Sequence, residues 1–228
     1  MEKILEIMSQ TPLFNGLSEN ELNAIRKIMV DRFFDKGKII FSEGDVGDGF
    51  YIVAQGKIKI YKVSSEGKEH ILHIYGPGNP FGEVPVFSGL RFPANAETLL
   101  KSHILFFPKE AFVDLITKNS SLCLNMLAVL SMRLRKFTLQ IENLSLKEVP
   151  GRLASYLIYL EKEQKTDKFV TLPVSKGQLA SLLGTIPETL SRILAKMKNK
   201  NLIEVNGRKI NLLDPVKLED LSENGKML

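Results

Sequence analysis

Residues 175–213 constrain the fold more tightly than any other stretch of the chain. Ser175 with Gln178 three residues later is a capping box, in which each side chain satisfies the other's backbone N–H at a helix start. It opens a helix, Gln178–Leu183, that Gly184 ends with the backbone freedom of a C-terminal cap. Thr185 and Ile186 make a tight connection, and Pro187 suits the first turn of a second helix. That helix runs from Glu188 to about Asn199, with Leu190, Ile193, Leu194 and Met197 inward. Small Ala180, the turn at Gly184 and apolar Leu190 and Ile193 give the arithmetic of a helix-turn-helix. In LIEVNGRKINLL, Asn206-Gly207 then stands between two alternating runs, the strongest short hairpin signal. The whole reads as a winged helix.

The outer face of the second helix carries Glu188, Thr189, Ser191, Arg192, Lys196 and Asn199, a surface that can enter a major groove. Arg192 has the fork to bond guanine O6 and N7, and Glu188 can accept from cytosine N4. Glu188 is alternatively the capping-box partner of Thr185, and Ser191 alternatively a plain helix-surface serine. Thr189, Lys196, Lys198, Lys200, Arg208 and Lys209 are the candidates for phosphate contacts, which position without specifying. The net charge of the chain is +5. Between Ile186 and Lys209, six basic residues (Arg192, Lys196, Lys198, Lys200, Arg208, Lys209) face only Glu188 and Glu204, so most of the excess is clustered there. A winged helix that binds no DNA is the alternative, since fold alone does not fix function.

From about Asp31 to Pro108 short runs rich in Ile, Val, Phe and Tyr alternate with turn signals, at Gly37, Gly44-Asp45, Gly56, Gly67, Gly76-Pro77-Gly78 and Gly89 among others. Lys57–Ile60 alternates as a half-buried strand does. Many short strands with close turns predict a small antiparallel barrel or roll. Helical signals flank it. Ser18 and Glu21 form a capping box ahead of Leu22, Ile25, Ile28 and Met29. A short helix from Lys109 to about Ile116 precedes a long one ending near Leu146.

In the long helix Cys123, Leu127, Leu130, Leu134, Phe137, Ile141 and Leu144 recur at spacings 4, 3, 4, 3, 4, 3, a heptad seam. Met126, Val129 and Met132 give it a second apolar side. One face is then available for the chain's own domain and one for a partner helix, and a parallel dimer is the preferred reading over a helix packed only at home. Cys123 is expected as a small buried core residue. Pro150 disfavours helical geometry at Val149, so Val149–Gly151 is expected to be a hinge, followed by a helix Arg152–Lys162 and a polar turn at Lys165–Asp167.

Other classes lack their residues. A single cysteine leaves no internal disulfide framework and no site built from several cysteines, which suits a reducing cytoplasm. The N-terminus has no signal-peptide pattern, and the best uncharged helical stretch, Asn119–Met132, falls short of the ~20 residues of a membrane span. There is no His-Glu-x-x-His, no Gly-x-Ser-x-Gly and no phosphate loop with its lysine, so no catalytic residues are assigned.

Taken together, the residues resemble the CRP/FNR family of bacterial transcription regulators over nearly the whole chain. KGKIIFSEGDVGDGFYIVAQGKIKIYK (Lys36–Lys62) and FGEVPVFSG (Phe81–Gly89) resemble its glycine-punctuated cyclic-nucleotide-binding roll, and Glu188-x-x-Ser191-Arg192 is similar to the recognition residues of its FNR side. The resemblance implies an α+β chain: an effector-sensing β-roll (double-stranded jelly roll) over 1–118, a dimerisation helix over 119–147 and a winged helix-turn-helix domain over 148–228. It implies a homodimer on double-stranded DNA, a half-site related to TTGA, and contact with RNA polymerase.

The family's effector site maps onto Phe81, Gly82, Glu83, Val84, Arg91, Pro93, Ala94 and Met126. Where cAMP-type members carry an Arg-Ser pair for the phosphate, this chain has Pro93 and Ala94, and a buried anion without a charge partner is costly. Glu83 remains where the family holds the ribose, with Arg91 nearby. The N-terminal cysteines of the iron–sulfur oxygen sensors are absent, and Val84 stands where carbon-monoxide sensors place a haem-ligating histidine. The implied effector is therefore haem with nitric oxide, as in DNR- or HcpR-like regulators, or a small organic molecule, rather than cAMP or an iron–sulfur cluster. His70, His73 and His103 are the haem-ligand candidates, with Met126 and Met132 behind them. His70 and His73, three apart on one strand, are expected on opposite faces. A cyclic-nucleotide-responsive regulator of the same fold, and a sensor acting through protein contacts without DNA, are the alternatives.

Overall fold

A computed structural model of the protein describes residues 7–8, 11–166 and 168–224. The chain divides into two compact units, Met1–Leu134 and Arg135–Leu228.

The first unit is built on two four-stranded antiparallel sheets. One has the order β1-β8-β3-β6, from Val30–Phe34 (β1), Gly49–Gln55 (β3), Pro80–Phe81 (β6) and Ser102–Pro108 (β8). The other has the order β2-β7-β4-β5, from Ile39–Phe41 (β2), Ile58–Val63 (β4), Glu69–Tyr75 (β5) and Asn95–Thr98 (β7). The expected roll is therefore present. Its strands stay short because the predicted turns interrupt them.

Two cores share β3 and β8. Alternate residues point to opposite faces of a strand. Tyr51, Val53, Ile104 and Phe106 join Phe41, Ile58, Tyr75 and Phe81 between the sheets. Phe50, Ile52, Leu105 and Phe107 face the other way, onto Leu13, Phe14, Ile25, Phe112, Leu122 and Met126. Because both faces are covered, six of the seven β3 residues are buried, as in a strand inside a layered core. Ahead of β1 the helix Glu19–Ile28 starts at the predicted Ser18–Glu21 box. The predicted alternation in β4 is broken at Lys59. This residue is buried on the outer face, ion-paired to Glu69 and, at 3.4 Å, to Glu97.

The long helix spans Ser120–Leu146. Its buried residues are Leu122, Met126 and Val129. The heptad residues lie one position round from that stripe. Cys123, Leu127, Leu134, Phe137, Ile141 and Leu144 are exposed, and only Leu130 is half-buried against the core. Two expectations are thereby corrected. Cys123 is not buried within the chain, and Met132 is exposed rather than part of the inward side.

The expected hinge is displaced as well. The break between helices is at Lys147-Glu148, and Val149 and Pro150 already belong to the first turn of the helix Val149–Gln164. A proline there loses nothing, because the first N–H groups of a helix have no intrahelical partner. Of the predicted turn after this helix, Lys165 adopts a left-handed conformation (φ 51°) as C-cap, and Asp167 lies outside the described residues.

In the second unit this helix packs its Leu153, Ala154, Leu157 and Leu160 inward and lies against the C-terminal helix Pro215–Asn224 and against Phe169–Thr171 (β9). The helices Lys176–Leu182 and Pro187–Asn199 contact each other through a buried set that includes Leu179, Ala180, Leu190, Leu194 and Met197. Ile203–Asn206 (β10) and Lys209–Leu212 (β11) form the hairpin, to which β9 adds a third strand in the order β10-β11-β9. Among the described residues no single helix is long and apolar enough to cross a membrane.

Candidate nucleic-acid interface and effector site

The helix Lys176–Leu182 begins as predicted. Ser175 Oγ accepts from Gln178 N at 3.2 Å, and Gln178 Oε1 accepts from Ser175 N at 3.0 Å. It ends in a paired cap: Gly184 N donates to Ser181 O and Thr185 N to Ala180 O. Thr185 is thus committed to the end of the first helix. The N-cap of the second is Ile186, with no side-chain cap bond, so Glu188 is not the capping partner of Thr185.

On the second helix Glu188, Ser191, Arg192, Lys196 and Lys198 are exposed, Thr189 is half-buried, and Lys200 is the exposed C-cap. Among the described residues, the side chains of Glu188, Ser191, Arg192, Lys196, Lys198 and Arg208 make no hydrogen bond or ion pair. These six side chains form a row of charged and polar groups with no partner among the described residues.

The hairpin turn is shifted by one from the predicted pair. Asn206 pairs with Lys209, so the two turn residues are Gly207 and Arg208. Gly207 carries the positive φ (63°) that the first central position of a type II′ turn needs. Arg208 therefore stands at the tip. Lys209 is exposed, but its Nζ rests 3.7 Å from the centre of the Phe169 ring, a cation–π contact that fixes its direction.

In the first unit Phe81 and Ala94 are buried, Gly82, Glu83 and Val84 half-buried, and Arg91 and Pro93 exposed. Arg91 donates to Gly44 O at 2.8 Å. Around Gly82 the space between the sheets is filled with rings. Phe41 stacks on Phe92 at 3.8 Å and on Tyr51 at 5.7 Å, and Phe81 lies 5.2 Å from Tyr51 and 6.2 Å from Tyr75. Met126 is not part of this group. It sits in the other core, beyond the β3–β8 sheet, because the long helix packs on the opposite face of that sheet.

The histidines are also placed differently. His73 pairs with Ile60 and His70 with Lys62, with a register shift between Ile60 and Tyr61. The shift gives β5 one extra residue, so His70 and His73 fall on the same face rather than on opposite ones. That is the face of Ile58 and Tyr75, and the His73 ring lies 4.4 Å from the Tyr75 ring. His103 lies elsewhere, its Nε2 2.5 Å from Asp31 Oδ1 and its ring stacked at 4.3 Å on the exposed Phe33.

Sequence reading missed Tyr75 and Arg133. Arg133 Nη1 donates to Glu83 Oε1 at 2.5 Å, its Nη2 donates to Pro80 O, and its guanidinium lies 4.9 Å from the centre of the Tyr75 ring. The Arg133 and Glu83 side chains are each only 14% exposed. Burial pushes the Tyr75 phenol up to about 12, against a lowering by Arg133. A signal was available for Arg133: it continues the inward stripe Leu122, Met126, Val129 at the same 4, 3, 4 spacing.

Residues 31–119 match the Cyclic nucleotide-binding domain family and residues 151–221 the Crp-like helix-turn-helix domain family. The chain is 30% identical over 211 residues to the probable transcriptional regulator flp of Lacticaseibacillus casei, covering 92% of this chain and 95% of that one. It is 28% identical over 217 residues to the CRP-like cAMP-activated global transcriptional regulator of Mycobacterium tuberculosis, covering 93% and 97%. Among solved structures it is similar to the catabolite activator protein of Thermus thermophilus, with 28% identity, a TM-score of 0.55, and coverage of 94% of this chain and all of that one.

Proposed function

This chain is a member of the CRP/FNR family of DNA-binding transcription regulators, and on that premise we propose that it acts as a non-catalytic, effector-controlled homodimer on a pseudo-palindromic promoter site. One observation carries the reading: Glu188, Ser191 and Arg192 stand exposed, and unpartnered among the described residues, on the second helix of a helix-turn-helix followed by a hairpin tip bearing Arg208. Glu188, Ser191 and Arg192 read base edges. Thr189, Lys196, Lys198, Lys200, Arg208 and Lys209 hold phosphates. The seam from Cys123 to Leu144 pairs with its copy, and the two-fold axis sets half-sites one helical turn, roughly 34 Å, apart. The dimer works in the cytoplasm and, on its site, touches RNA polymerase.

The effector is haem with nitric oxide or a small organic molecule, rather than cAMP. Pro93 and Ala94 offer no charge to a cyclic phosphate, and Arg91 is turned to the Gly44 carbonyl. His73, its ring 4.4 Å from that of the buried Tyr75, has the donor chemistry for haem, and His70 shares its face of the strand; His103, paired to Asp31 beside an exposed phenylalanine, is placed less well. Bound haem would supply a diatomic-gas ligand position. The chain's part is to turn occupancy of the roll into a population shift of the seam and the winged helices.

Selection from a random DNA pool tests the reading. It should enrich a pseudo-palindrome, and Arg192→Ala should cost roughly 1–3 kcal/mol at that site and relax one base position. Tight, unchanged binding by Arg192→Ala would remove the assignment of this helix. No enrichment by the protein alone, with haem or with haem and nitric oxide would leave a regulator that works through protein contacts. An anaerobic haem titration that saturates at one per subunit and shifts with nitric oxide fixes the effector branch; a spectrum like that of free haem discards it.

A further inference from the structure

Between Lys176 and Leu212 every large apolar side chain is buried or half-buried except that of Ile186, which stands 45% exposed. Pro187 beside it is exposed too. Both sit where the second helix of the helix-turn-helix begins, Ile186 as its N-cap and Pro187 as its first residue. Pro187 lies one turn before Ser191, so its ring continues the face that carries Glu188, Ser191 and Arg192. An apolar spot therefore borders the polar groups proposed to read base edges.

The fold does not account for this spot. Ser, Thr, Asp and Asn are favoured at an N-cap because their oxygens accept from the first helical N–H groups, and isoleucine has no such oxygen. A hydrophobic staple would use the residue before the N-cap, which is Thr185. Phosphate suits the spot no better. Pro187 has no N–H, the Thr185 N–H donates to Ala180 O, and the Glu188 carboxylate next in line repels an anion. What is left is apolar surface beside a carboxylate that can accept hydrogen bonds. In the major groove the apolar feature is the 5-methyl group of thymine, and the amino groups of adenine and cytosine are the donors.

We propose that Ile186 and Pro187 are specificity-determining residues that read thymine 5-methyl groups in each half-site, while Glu188 accepts from an amino group on a neighbouring base pair. The contact that seats the helix in the groove buries the methyl group against the isoleucine and the proline ring. Cytosine at the same position would present a bare C5–H and leave the pair without its partner. The proposal rests on the DNA-binding reading above, and adds to it a base that no hydrogen bond selects.

The experiment uses the full-length chain and the site enriched from the random DNA pool. Each thymine of that site is replaced in turn by deoxyuridine, in both half-sites at once, which removes the methyl group and leaves base pairing, charge and the minor groove as they were. Affinity is read by fluorescence anisotropy at fixed salt, because phosphate contacts make it salt-dependent. At one thymine position or more the parent should lose about fourfold per half-site, the worth of one buried methyl group, hence about fifteenfold for the dimer. In a chain carrying Ile186→Ser and Pro187→Ala the ratio between thymine and deoxyuridine sites should fall to about one. Ile186→Ser supplies a capping oxygen, so the helix it starts should be no less stable. Should the double variant fail to fold, Ile186→Ser alone should still lower the ratio by at least about twofold, and an unchanged ratio overturns the proposal. So do a selected half-site without thymine, deoxyuridine sites that bind as tightly as the parent site at every position, and a deoxyuridine penalty that persists in the double variant. Enrichment of no site removes the DNA-binding reading and this one with it.

Discussion

Replacing Gly82 by alanine probes the ring-filled space between the sheets directly. Gly82 has φ +73°, and a Cβ there would meet Phe41 at 3.0 Å, Tyr51 at 3.1 Å and Phe92 at 3.3 Å. Two costs add. Holding an L-residue in the left-handed region costs about 1–2 kcal/mol. Forcing a methyl into a closed aromatic wall costs about 1–3 kcal/mol, because the rings must leave their packed positions. The expected loss is about 2–5 kcal/mol. Gly89 is the control, with φ +69° but nothing within 4 Å of its Cβ, so Gly89→Ala should lose only the backbone part, about 1–2 kcal/mol. Both residues lie in the same unit, so urea unfolding followed by far-ultraviolet circular dichroism, at fixed protein concentration, compares them on one transition. If Gly82→Ala cost no more than Gly89→Ala, the rings would not be packed around Gly82, and the account of a roll filled by its own side chains would be wrong.

Three further outcomes follow. Ile141→Lys should leave the chain folded, since Ile141 is 64% exposed, but weaken self-association in sedimentation; an unchanged dimer would place the interface elsewhere. Ser175→Ala removes the oxygen that accepts from Gln178 N and should cost about 1 kcal/mol of the second unit's stability, read by denaturant midpoint. The Tyr75 phenol ionises near pH 10 in the unfolded chain and at about 12 in the fold, so between those values the unfolded state binds fewer protons and stability falls as pH rises. The contribution is about 2–3 kcal/mol, fully present below pH 10, and Tyr75→Phe should flatten this part of the alkaline limb in a pH-dependent melting series.

The winged helix was legible because its signals are local. A capping box, a glycine C-cap and a proline in the first turn each act over a few residues, and the structure reproduces all three. The error there is a single-residue shift: the turn pair is Gly207-Arg208 because Asn206 is still paired; the alternative capping role of Glu188 falls because Thr185 is held by the cap that ends the preceding helix. In the roll the errors are larger because they depend on pairing between distant strands. Nothing local announces the extra residue in β5 that puts His70 and His73 on one face. Nothing local says that Met126 packs beyond the sheet whose other face meets Phe81. Arg133 is invisible to an apolar pattern for a different reason: a cation does not register as inward, although its spacing continues the buried stripe.

The two ends of the chain differ in how their polar groups are satisfied, and this bears on what each can bind. On the recognition helix Glu188, Ser191 and Arg192 have no partner among the described residues, so contacts to DNA replace only bonds to water. In the roll Glu83 already accepts from Arg133, Arg91 already donates to Gly44 O, and Lys62 already bonds Glu43 and Pro93 O. A ligand bonding these groups exchanges one protein bond for another, and the net gain of such an exchange is small, about 0.5–1.5 kcal/mol per bond at best. Its affinity must then come mainly from apolar surface, at roughly 25 cal/mol per Å² buried. On the effector reading proposed above, a polar, charged cyclic nucleotide is poorly matched to that balance.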